Sequence, residues 1–269
     1  MRAIVPIWLG RRPYGPLHEL QQRLVEGRAA GRGADVVLLL EHEPVVTMGR
    51  ALGRGLSSAN VLVSPAVLAA RGVGLFETGR GGDVTYHGPG QLVAYPVVDL
   101  RPDRCDVRRY VRDLAAVMVR LAADCGVGAG TVAEHVGVWV DRARPDAWRG
   151  EEAAGEPVKI GAIGVRLSRW VTMHGFAFNG SVDLDEMRSL IVPCGIADRG
   201  ITSVADLVGS CPTLRSLAGQ AAGHFGAVWG VEVAGTVDLS AFADVALEPA
   251  LEALLGPGAL GGRGGAPVF

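Results

Sequence analysis

The chain has 269 residues and a formal net charge of −2, with 49% hydrophobic and 20% charged residues. This length allows one large domain or two small ones around a substantial core. The balanced charge gives no global field for nucleic acid, so we expect no nucleic-acid partner. No apolar run of about 18 residues occurs, and the short one before Arg11 does not predict a secretory signal, so we expect a cytoplasmic protein without a membrane segment.

The apolar and polar periodicities predict a mixture of short strands and amphipathic helices. In chain order these are strand Ala3–Leu9, helix Leu17–Ala30, strand Val36–Leu40, strand Val45–Gly49, a helix opened by Ser64-Pro65, strand Leu92–Leu100, helix Asp106–Cys125, strand Val136–Val140, strands Val158–Val165 and Trp170–Phe178, and helices Asp183–Leu190, Ser203–Val208 and Thr213–Trp229. Strands and helices do not alternate strictly. This order predicts an α+β fold in which helices pack on a mixed sheet.

Three segments carry more specific expectations. Pro96 lies inside a predicted strand, and because proline cannot donate to a ladder, it predicts an edge strand or a bulge. The polar stretch from Arg142 to Pro157 predicts a surface hairpin loop or a disordered insert. We expect a catalytic domain over residues 1–238 and a C-terminal extension over 239–269 that is Gly-rich and disordered from about Gly256.

The stretch Gly79–Gln91 reads GRGGDVTYHGPGQ and contains five glycines between two apolar runs. Glycines at this density let backbone amides approach a ligand closely and allow dihedral angles that other residues avoid. A plain turn needs two or three such residues. The length of the stretch therefore predicts the wall of a binding site.

Lysine occurs once in this chain. Of the 26 basic residues 25 are Arg, and only Lys159 is Lys. Genomic base composition explains an excess of Arg but not the single exception. Because Lys has a tunable pKa whereas Arg keeps its proton, the exception predicts a functional role for Lys159.

Cysteine is the second chemical candidate. The four cysteines, Cys105, Cys125, Cys194 and Cys211, show neither CxxC nor CxxH spacing, which predicts neither disulfides nor structural zinc. A metal site at the Glu41-His42-Glu43 turn is disfavoured because no further ligands lie at helical spacing. Cys194 stands between Pro193 and Gly195, where a nucleophile would be exposed beside a free backbone N–H. Either His87 or Lys159 could favour its thiolate, and a buried structural cysteine is the alternative.

Four segments resemble the signature blocks of the lipoyl(octanoyl) transferases. They are Arg80–Gln91, similar to RGG-x-x-T-x-HGPGQ; Lys159–Arg166, similar to KIAAIGVR; His174–Asn179, similar to HG-x-A-L-N; and Ile191–Gly195, similar to I-x-PCG. Ile201-Thr202-Ser203 follows as in the family, and the resemblance covers roughly residues 4–229. It implies the catalytic fold that this family shares with lipoate and biotin protein ligases.

The resemblance also implies residue roles. Cys194 is then the nucleophile, and Lys159 lowers its pKa. The implied substrate-binding residues form three segments: Arg80, Gly81, Gly82, Asp83, Val84, Thr85, Tyr86 and His87; Ala162, Ile163 and Gly164; and Gly175, Phe176 and Ala177. For His174 the sequence favours a substrate contact and a packed strand histidine equally. A candidate docking face is formed by Arg104, Arg108, Arg109 and Arg112, although a solvated helix face is the simpler interpretation.

The implied reaction moves an octanoyl or lipoyl group from the thioester of acyl carrier protein to a lysine of a lipoyl domain. The implied acceptors are the lipoyl domains of 2-oxoacid dehydrogenase complexes and the glycine cleavage H protein. Because a thioester converts to an amide downhill, we expect neither ATP nor a metal as cofactor. The absence of a GxxxxGK[ST] phosphate loop agrees with that expectation.

The chain departs from the family blocks at Gly161, Phe178 and Gly180, where Ala, Leu and Val are usual, and we expect these changes to alter the acyl pocket. Three alternative functions remain open. They are an ATP-dependent lipoate or biotin protein ligase of the same fold, a non-enzymatic lipoyl-domain-binding protein, and a cysteine hydrolase that pairs Cys194 with His87.

Overall fold

The computed structural model describes residues 2–50, 60–133, 135–150, 153–192 and 200–262. Its strands are β1 (Ala3–Arg12), β2 (Asp35–His42), β3 (Val45–Met48), β4 (Gly74–Glu77), β5 (Val84–His87), β6 (Gln91–Val97), β7 (Gly130–Val132), β8 (His135–Asp141), β9 (Pro157–Ser168), β10 (Val171–Asn179), β11 (Gly200–Ile201), β12 (Glu232–Val233) and β13 (Val237–Asp238). Its helices are α1 (Tyr14–Ala29), α2 (Pro65–Ala70), α3 (Val107–Asp124), α4 (Leu184–Leu190), α5 (Val204–Val208), α6 (Leu214–Trp229) and α7 (Asp244–Leu255).

A large mixed sheet forms the centre of the molecule. Its strands follow the order β12-β1-β2-β6-β10-β9-β8-β7, with β13 beside β1 and β11 beside β9. Helices α3 and α6 pack on one face, where Leu114, Met118 and Phe225 meet Ile160 and Phe178. Helices α1 and α7 cover part of the other face. This arrangement confirms the α+β fold predicted from the order of elements.

A second, smaller sheet carries much of the Gly79–Gln91 stretch. Strand β3 pairs with β4 in parallel and with β5 in antiparallel, and β5 contains the Val84–His87 part of the stretch. The core of this region joins Val46, Leu68, Tyr86, Leu190 and Ile191. Helices α2 and α4 therefore pack on the small sheet.

The helix starts follow from capping chemistry that the sequence displays. Asp106 accepts a hydrogen bond from the Arg109 amide, and Ser64 accepts one from the Val67 amide with Pro65 in the first turn. A side-chain oxygen at this position satisfies an amide that otherwise has no partner in the helix. Ser203 and Thr213 cap α5 and α6 in the same way, which confirms the predicted starts.

The edge position predicted from Pro96 is wrong. Strand β6 lies between β2 and β10, and Pro96 pairs in register with Val37. The ladder to β10 is interrupted at this point, between the pairs Phe176–Ala94 and Val171–Asp99. Proline has no N–H to donate to a neighbouring strand. The nitrogen of Pro96 faces the interrupted part of the ladder to β10, so the central strand β6 can contain it.

The C-terminal extension packs on α1. Leu239, Leu247, Leu251 and Leu260 are buried in the same core as the inner face of α1. Ala259 and Leu260, which are 2% and 5% exposed, are packed within the segment for which the sequence predicted disorder. The proposed boundary at 238/239 stays a prediction. Among the described helices, none combines the length and apolar character needed to cross a membrane.

Candidate active site

Two adjoining clefts open on the face of the large sheet opposite α3. We call the first the lysine cleft; it is lined by Val84, Tyr86, Lys159, Met187, Ile191 and Ile201 together with Gln91 and Asn179. We call the second the ring cleft; it is lined by Tyr14, Arg80, His87, Tyr95, His174 and Phe176 together with Ile163, Gly164, Gly175 and Ala177. Thr85 and Ala162 line both clefts, so the two are continuous along β9.

A β-bulge in β9 aims Lys159 into the lysine cleft. Val138 pairs with Gly161, whereas the next residue of β8, Trp139, pairs with Lys159, so Ile160 is the extra residue. A bulge shifts the alternation of side chains between the two faces of a sheet. As a result Lys159 and Ala162 lie on the cleft face although they are three residues apart, while Ile160 packs in the core beneath α3.

The lysine side chain is buried, with 5% of its surface exposed. Its Nζ donates to the Val136 carbonyl at 3.1 Å and lies 4.8 Å from the centroid of the Trp139 ring. A carbonyl and an aromatic face both stabilise an ammonium group without neutralising it. These contacts hold the Lys159 side chain in the cleft, and a functional role for it stays a prediction.

Cys194 lies outside the described residues, but both flanks of its segment reach the lysine cleft. On one side Ile191 lines the cleft, and the Val192 amide donates to the Asn60 carbonyl at 2.8 Å. On the other side β11 pairs in parallel with β9, with Ile201 opposite Lys159. The described residues that precede and follow 193–199 therefore both reach the lysine cleft, through Ile191 and Ile201.

A polar network ties the Gly79–Gln91 stretch to the other signature blocks. The Gln91 amide nitrogen donates to Asn179 Oδ1 at 3.0 Å, and the Asn179 amide donates to the Thr202 carbonyl at 2.9 Å. The Thr202 amide in turn donates to the Lys159 carbonyl at 3.0 Å. These three residues were not among the predicted site residues, although each stands within or directly beside a signature block.

The same network fixes the state of His87. Its Nδ1 donates to Gln91 Oε1 at 2.7 Å, because the Gln91 amide nitrogen is already a donor elsewhere. Burial, with the nearby His42 and Arg80, lowers the pKa of His87 to about 3. His87 is therefore a neutral imidazole at neutral pH, with Nε2 as an acceptor.

His42 is neutral for a similar reason. Its Nδ1 donates to the Arg12 carbonyl and its Nε2 accepts from the Tyr95 hydroxyl, both at 2.9 Å. Burial lowers the pKa of His42 to about 4. Both nitrogens are occupied, which agrees with the weak case for a metal at the Glu41-His42-Glu43 turn.

Small residues form the floor that joins the clefts. Ala162 pairs across the strands with Ala177, and Gly164 pairs with Gly175. Moving away from Lys159, the next residue of β10 is His174, whose φ of +59° is in the left-handed region. A non-glycine residue seldom adopts this conformation, and such strain concentrates at functional sites.

Arg80 is buried rather than solvated. Its guanidinium donates to the Thr47 carbonyl at 2.7 Å and to the Thr47 hydroxyl at 3.0 Å, and it lines the ring cleft. Gly81, Gly82 and Asp83 line neither cleft. They hold the loop instead, since the Gly81 amide donates to the Val165 carbonyl at 2.9 Å.

The remaining predicted binding residues, Val84, Thr85, Tyr86, His87, Ala162, Ile163, Gly164, Gly175, Phe176 and Ala177, each line at least one cleft. Tyr14 and Tyr95 were missed because they come from α1 and β6, outside the recognised site segments. Their hydrophobic periodicity alone does not distinguish a cleft ring from a core ring. Arg108, Arg109 and Arg112 are exposed on α3, on the opposite face of the sheet.

The expectation that Gly161 and Phe178 reshape the acyl pocket is wrong. They are direct cross-strand partners, and both face α3. A Cβ on Gly161 would lie 2.5 Å from the Met118 sulfur. The small residue and the large one therefore compensate each other in the core. Gly180 is likewise packed against Cys211 and the Gly90 carbonyl.

The fold has known counterparts. A putative lipoate protein ligase from T. acidophilum with bound lipoic acid superposes with a TM-score of 0.65 over 94% of this chain and 96% of that one, at 15% identity. A lipoate-protein ligase A bound with ATP gives a TM-score of 0.64 at 16% identity, covering 94% of each chain. At such identities the likeness defines the class of fold alone, that of lipoate-protein-ligase catalytic domains.

Sequence comparison defines the family within that class. The family model "Lipoyl protein ligase A/B catalytic domain" matches residues 14–226. An octanoyltransferase from Acidobacterium capsulatum is 45% identical over 234 residues, which are 84% of this chain and 89% of that protein. One from Myxococcus xanthus is 48% identical over 204 residues, which are 76% of this chain but only 53% of that protein. The chain belongs to the lipoyl(octanoyl) transferase family.

Proposed function

We propose that this protein transfers an octanoyl, or lipoyl, group from the thioester of acyl carrier protein to a lysine of a lipoyl domain, through an acyl thioester on Cys194. The octanoyltransferase relatives support the acyl group. A related archaeal system, a bipartite lipoate protein ligase and its E2 lipoyl domain from Thermoplasma acidophilum, supports an acceptor of this kind.

One observation carries the proposal. Ile191 and Ile201, which lie on either side of the segment that holds Cys194, line the same cleft as Lys159. Cys194 is two residues along the chain from Val192 and six from Gly200. This short separation along the sequence supports the proposed pairing of Cys194 with Lys159 at the lysine cleft.

The charge of Lys159 would favour the reactive form of the cysteine. An ammonium about 4 Å from a thiolate is worth about 4 kcal/mol at an effective dielectric constant of about 20, before desolvation is subtracted. The thiolate attacks the donor carbonyl, a new C–S bond forms, and the carrier thiolate leaves and takes up a proton. The acyl chain then lies along the floor of the clefts, over the paired residues Ala162 and Ala177.

In the second half-reaction the acceptor amine attacks the acyl-Cys194 carbonyl. An amide forms, the C–S bond breaks, and the amine gives up one proton as Cys194 leaves as a thiolate. Lys159 in its neutral form would be the group that accepts this proton. The two protein substrates use the same site in turn, so initial-rate kinetics should be ping-pong.

The geometry lowers the support for one alternative, and the comparisons do not favour another. A cysteine hydrolase would need His87 as the base beside Cys194, but His87 lines the ring cleft and donates to Gln91. An ATP-dependent ligase of the same fold would need no covalent cysteine intermediate. The likeness to ligase structures concerns the fold and does not favour that chemistry.

Intact-mass analysis tests the covalent step. The chain is incubated with octanoyl-acyl carrier protein, without ATP or added metal, and without an acceptor. We expect an octanoyl adduct on the wild type that is absent from Cys194→Ala, whereas Cys211→Ala is acylated as the wild type is. Octanoyl transfer that requires ATP, or an adduct that persists in Cys194→Ala, contradicts the proposal.

A second variant separates the two roles of Lys159. Lys159→Arg keeps a positive charge but cannot accept a proton at neutral pH. We expect it to form the acyl-enzyme in the absence of acceptor yet to transfer the acyl group to a lipoyl domain about 100-fold more slowly, the range typical of a lost general base. Full turnover in Lys159→Arg would rule out the proton-accepting role.

A further inference from the structure

The ring cleft ends at a histidine whose orientation the regular strand does not explain. Along β10, Phe176 and Phe178 face α3, so alternation would point His174 the same way. Instead the His174 ring stacks on His18 of α1, with ring centroids 5.4 Å apart, and lines the ring cleft. The left-handed φ of +59° accounts for this change of face. The backbone thus turns an imidazole into the cleft.

This imidazole offers an unused hydrogen-bonding atom. His174 is 2% exposed, and its Nε2 has no hydrogen-bond partner among the described residues. Two neighbours on α1 share this property, His18 Nδ1 and Gln21 Nε2. Gln21 is held there because its Oε1 accepts from the His174 amide at 3.2 Å. Buried polar atoms seldom lack partners, so the group indicates a place where a bound molecule ends.

The position of His174 relates to the length of a bound chain. From Lys159 the floor runs through Ala162 and Gly164 before it meets His174, whose partner on β9 is Val165. A strand rises about 3.3 Å per residue, so Lys159 and Gly164 are about 16 Å apart along a regular strand. The bulge at Ile160 shortens this distance. An extended eight-carbon acyl group spans about 9 Å at about 1.2 Å per bond. An octanoyl group that begins at the lysine cleft therefore ends before His174, and two further carbons bring its end about 2 Å nearer.

We propose that His174 sets the length limit and the end-group preference of the acyl pocket, which rests on the function proposed above. An alkyl chain two carbons longer would bring its methyl group toward Nε2 and leave that atom buried without a partner. A chain of the same length ending in a hydroxyl group would pair with it. Because a hydroxyl both donates and accepts, it fits either tautomer of the neutral ring.

Acyl carrier protein loaded with octanoyl, decanoyl or 10-hydroxydecanoyl groups tests this role, with kcat/KM as the readout. For the wild type we expect octanoyl to exceed decanoyl by roughly tenfold or more, the range for one or two misfitted methylenes. We expect 10-hydroxydecanoyl to exceed decanoyl by about threefold or more, since the terminal hydroxyl satisfies the buried nitrogen.

His174→Asn then shortens the side chain, and asparagine tolerates the left-handed backbone. We expect the octanoyl-to-decanoyl ratio of kcat/KM to fall by about tenfold relative to the wild type. His224→Asn is the matched control, because His224 pairs with Asp124 on the α3 and α6 side of the sheet. It should leave the ratio as it is in the wild type.

Each outcome decides between the two proposals. A wild type that transfers octanoyl but treats decanoyl and 10-hydroxydecanoyl alike contradicts the role of His174 and leaves the proposed function intact. A ratio in His174→Asn within twofold of the wild type does the same. If the wild type transfers no octanoyl group, the proposed function fails. Should His174→Asn fail to fold, the two ten-carbon donors on the wild type still test the role of His174.

Discussion

The two clefts share one floor but differ in their electrostatics. The lysine cleft holds a cation among apolar side chains, with the indole of Trp139 and one carbonyl as described contacts. The ring cleft holds the neutral imidazole of His87, whose Nδ1 donates to Gln91, and the guanidinium of Arg80, which donates to Thr47. Lysine can exchange its proton and so suits bond making, whereas arginine keeps its proton and the buried His87 stays neutral, which suits recognition. On the proposed function, acid–base chemistry and acyl-chain binding are therefore separated along β9.

The largest expected effect is a contrast between one variant in each cleft. Lys159→Met removes the cation, and we expect kcat to fall by about 100- to 10,000-fold with little change in KM for the acyl donor. His87→Gln keeps a polar group in the ring cleft and should raise KM more than it lowers kcat. Steady-state kinetics with octanoyl-acyl carrier protein measures both. Equal losses of kcat in the two variants would contradict the inference that the two clefts have different roles.

Acid should destabilise the ring cleft. The pKa values of His42 and His87 in the folded protein are lowered to about 4 and about 3, whereas the unfolded value is about 6.5. Between these values the unfolded chain binds protons that the folded chain does not, so stability is complete above pH 6.5 and falls as the pH decreases. Each histidine contributes roughly 1.4 kcal/mol per pH unit in that window.

Urea unfolding at pH 7, 6, 5 and 4 measures this dependence. His42→Leu should lose stability at pH 7, because it leaves the buried Tyr95 hydroxyl without its His42 partner, at a cost of about 1–3 kcal/mol. The Arg12 carbonyl still accepts from the Glu43 amide. The pH slope of His42→Leu should nevertheless be smaller by about one proton. A slope identical to that of the wild type would show that His42 is not the titrating group.

The smallest effect concerns the floor itself. In Gly175→Ala the new Cβ would lie 2.1 Å from the Ala94 carbonyl oxygen, so β10 must move away from β6. We expect a loss of about 1–3 kcal/mol in the free energy of unfolding. Gly219→Ala is the control, since no atom of the described residues lies within 4 Å of its Cβ on α6, and it should gain about 0.5–1 kcal/mol. Thermal unfolding distinguishes them; a stable Gly175→Ala would mean that the strands separate easily here.

Local patterns in the sequence determined a large part of this protein. Capping residues fixed where helices begin, as at Asp106 and Ser64, because a cap and its helix are separated by only three residues. Periodicity predicted the helices, the strands and the α+β class. The signature blocks identified the candidate site residues. The single lysine was evident from composition alone, since a lone exception to Arg usage needs no structure to be seen.

What only the tertiary structure decided depends on contacts between distant segments. The bulge at Ile160 puts Lys159 on the cleft face, and it exists only through the pairing of β8 with β9. Pro96 was expected at an edge because the interrupted ladder beside it involves β10, about eighty residues away along the chain. Gly161 and Phe178 were expected to change the pocket, but their direct pairing places both beneath α3. His174 faces the cleft through its backbone conformation, which no local pattern of residue types specifies.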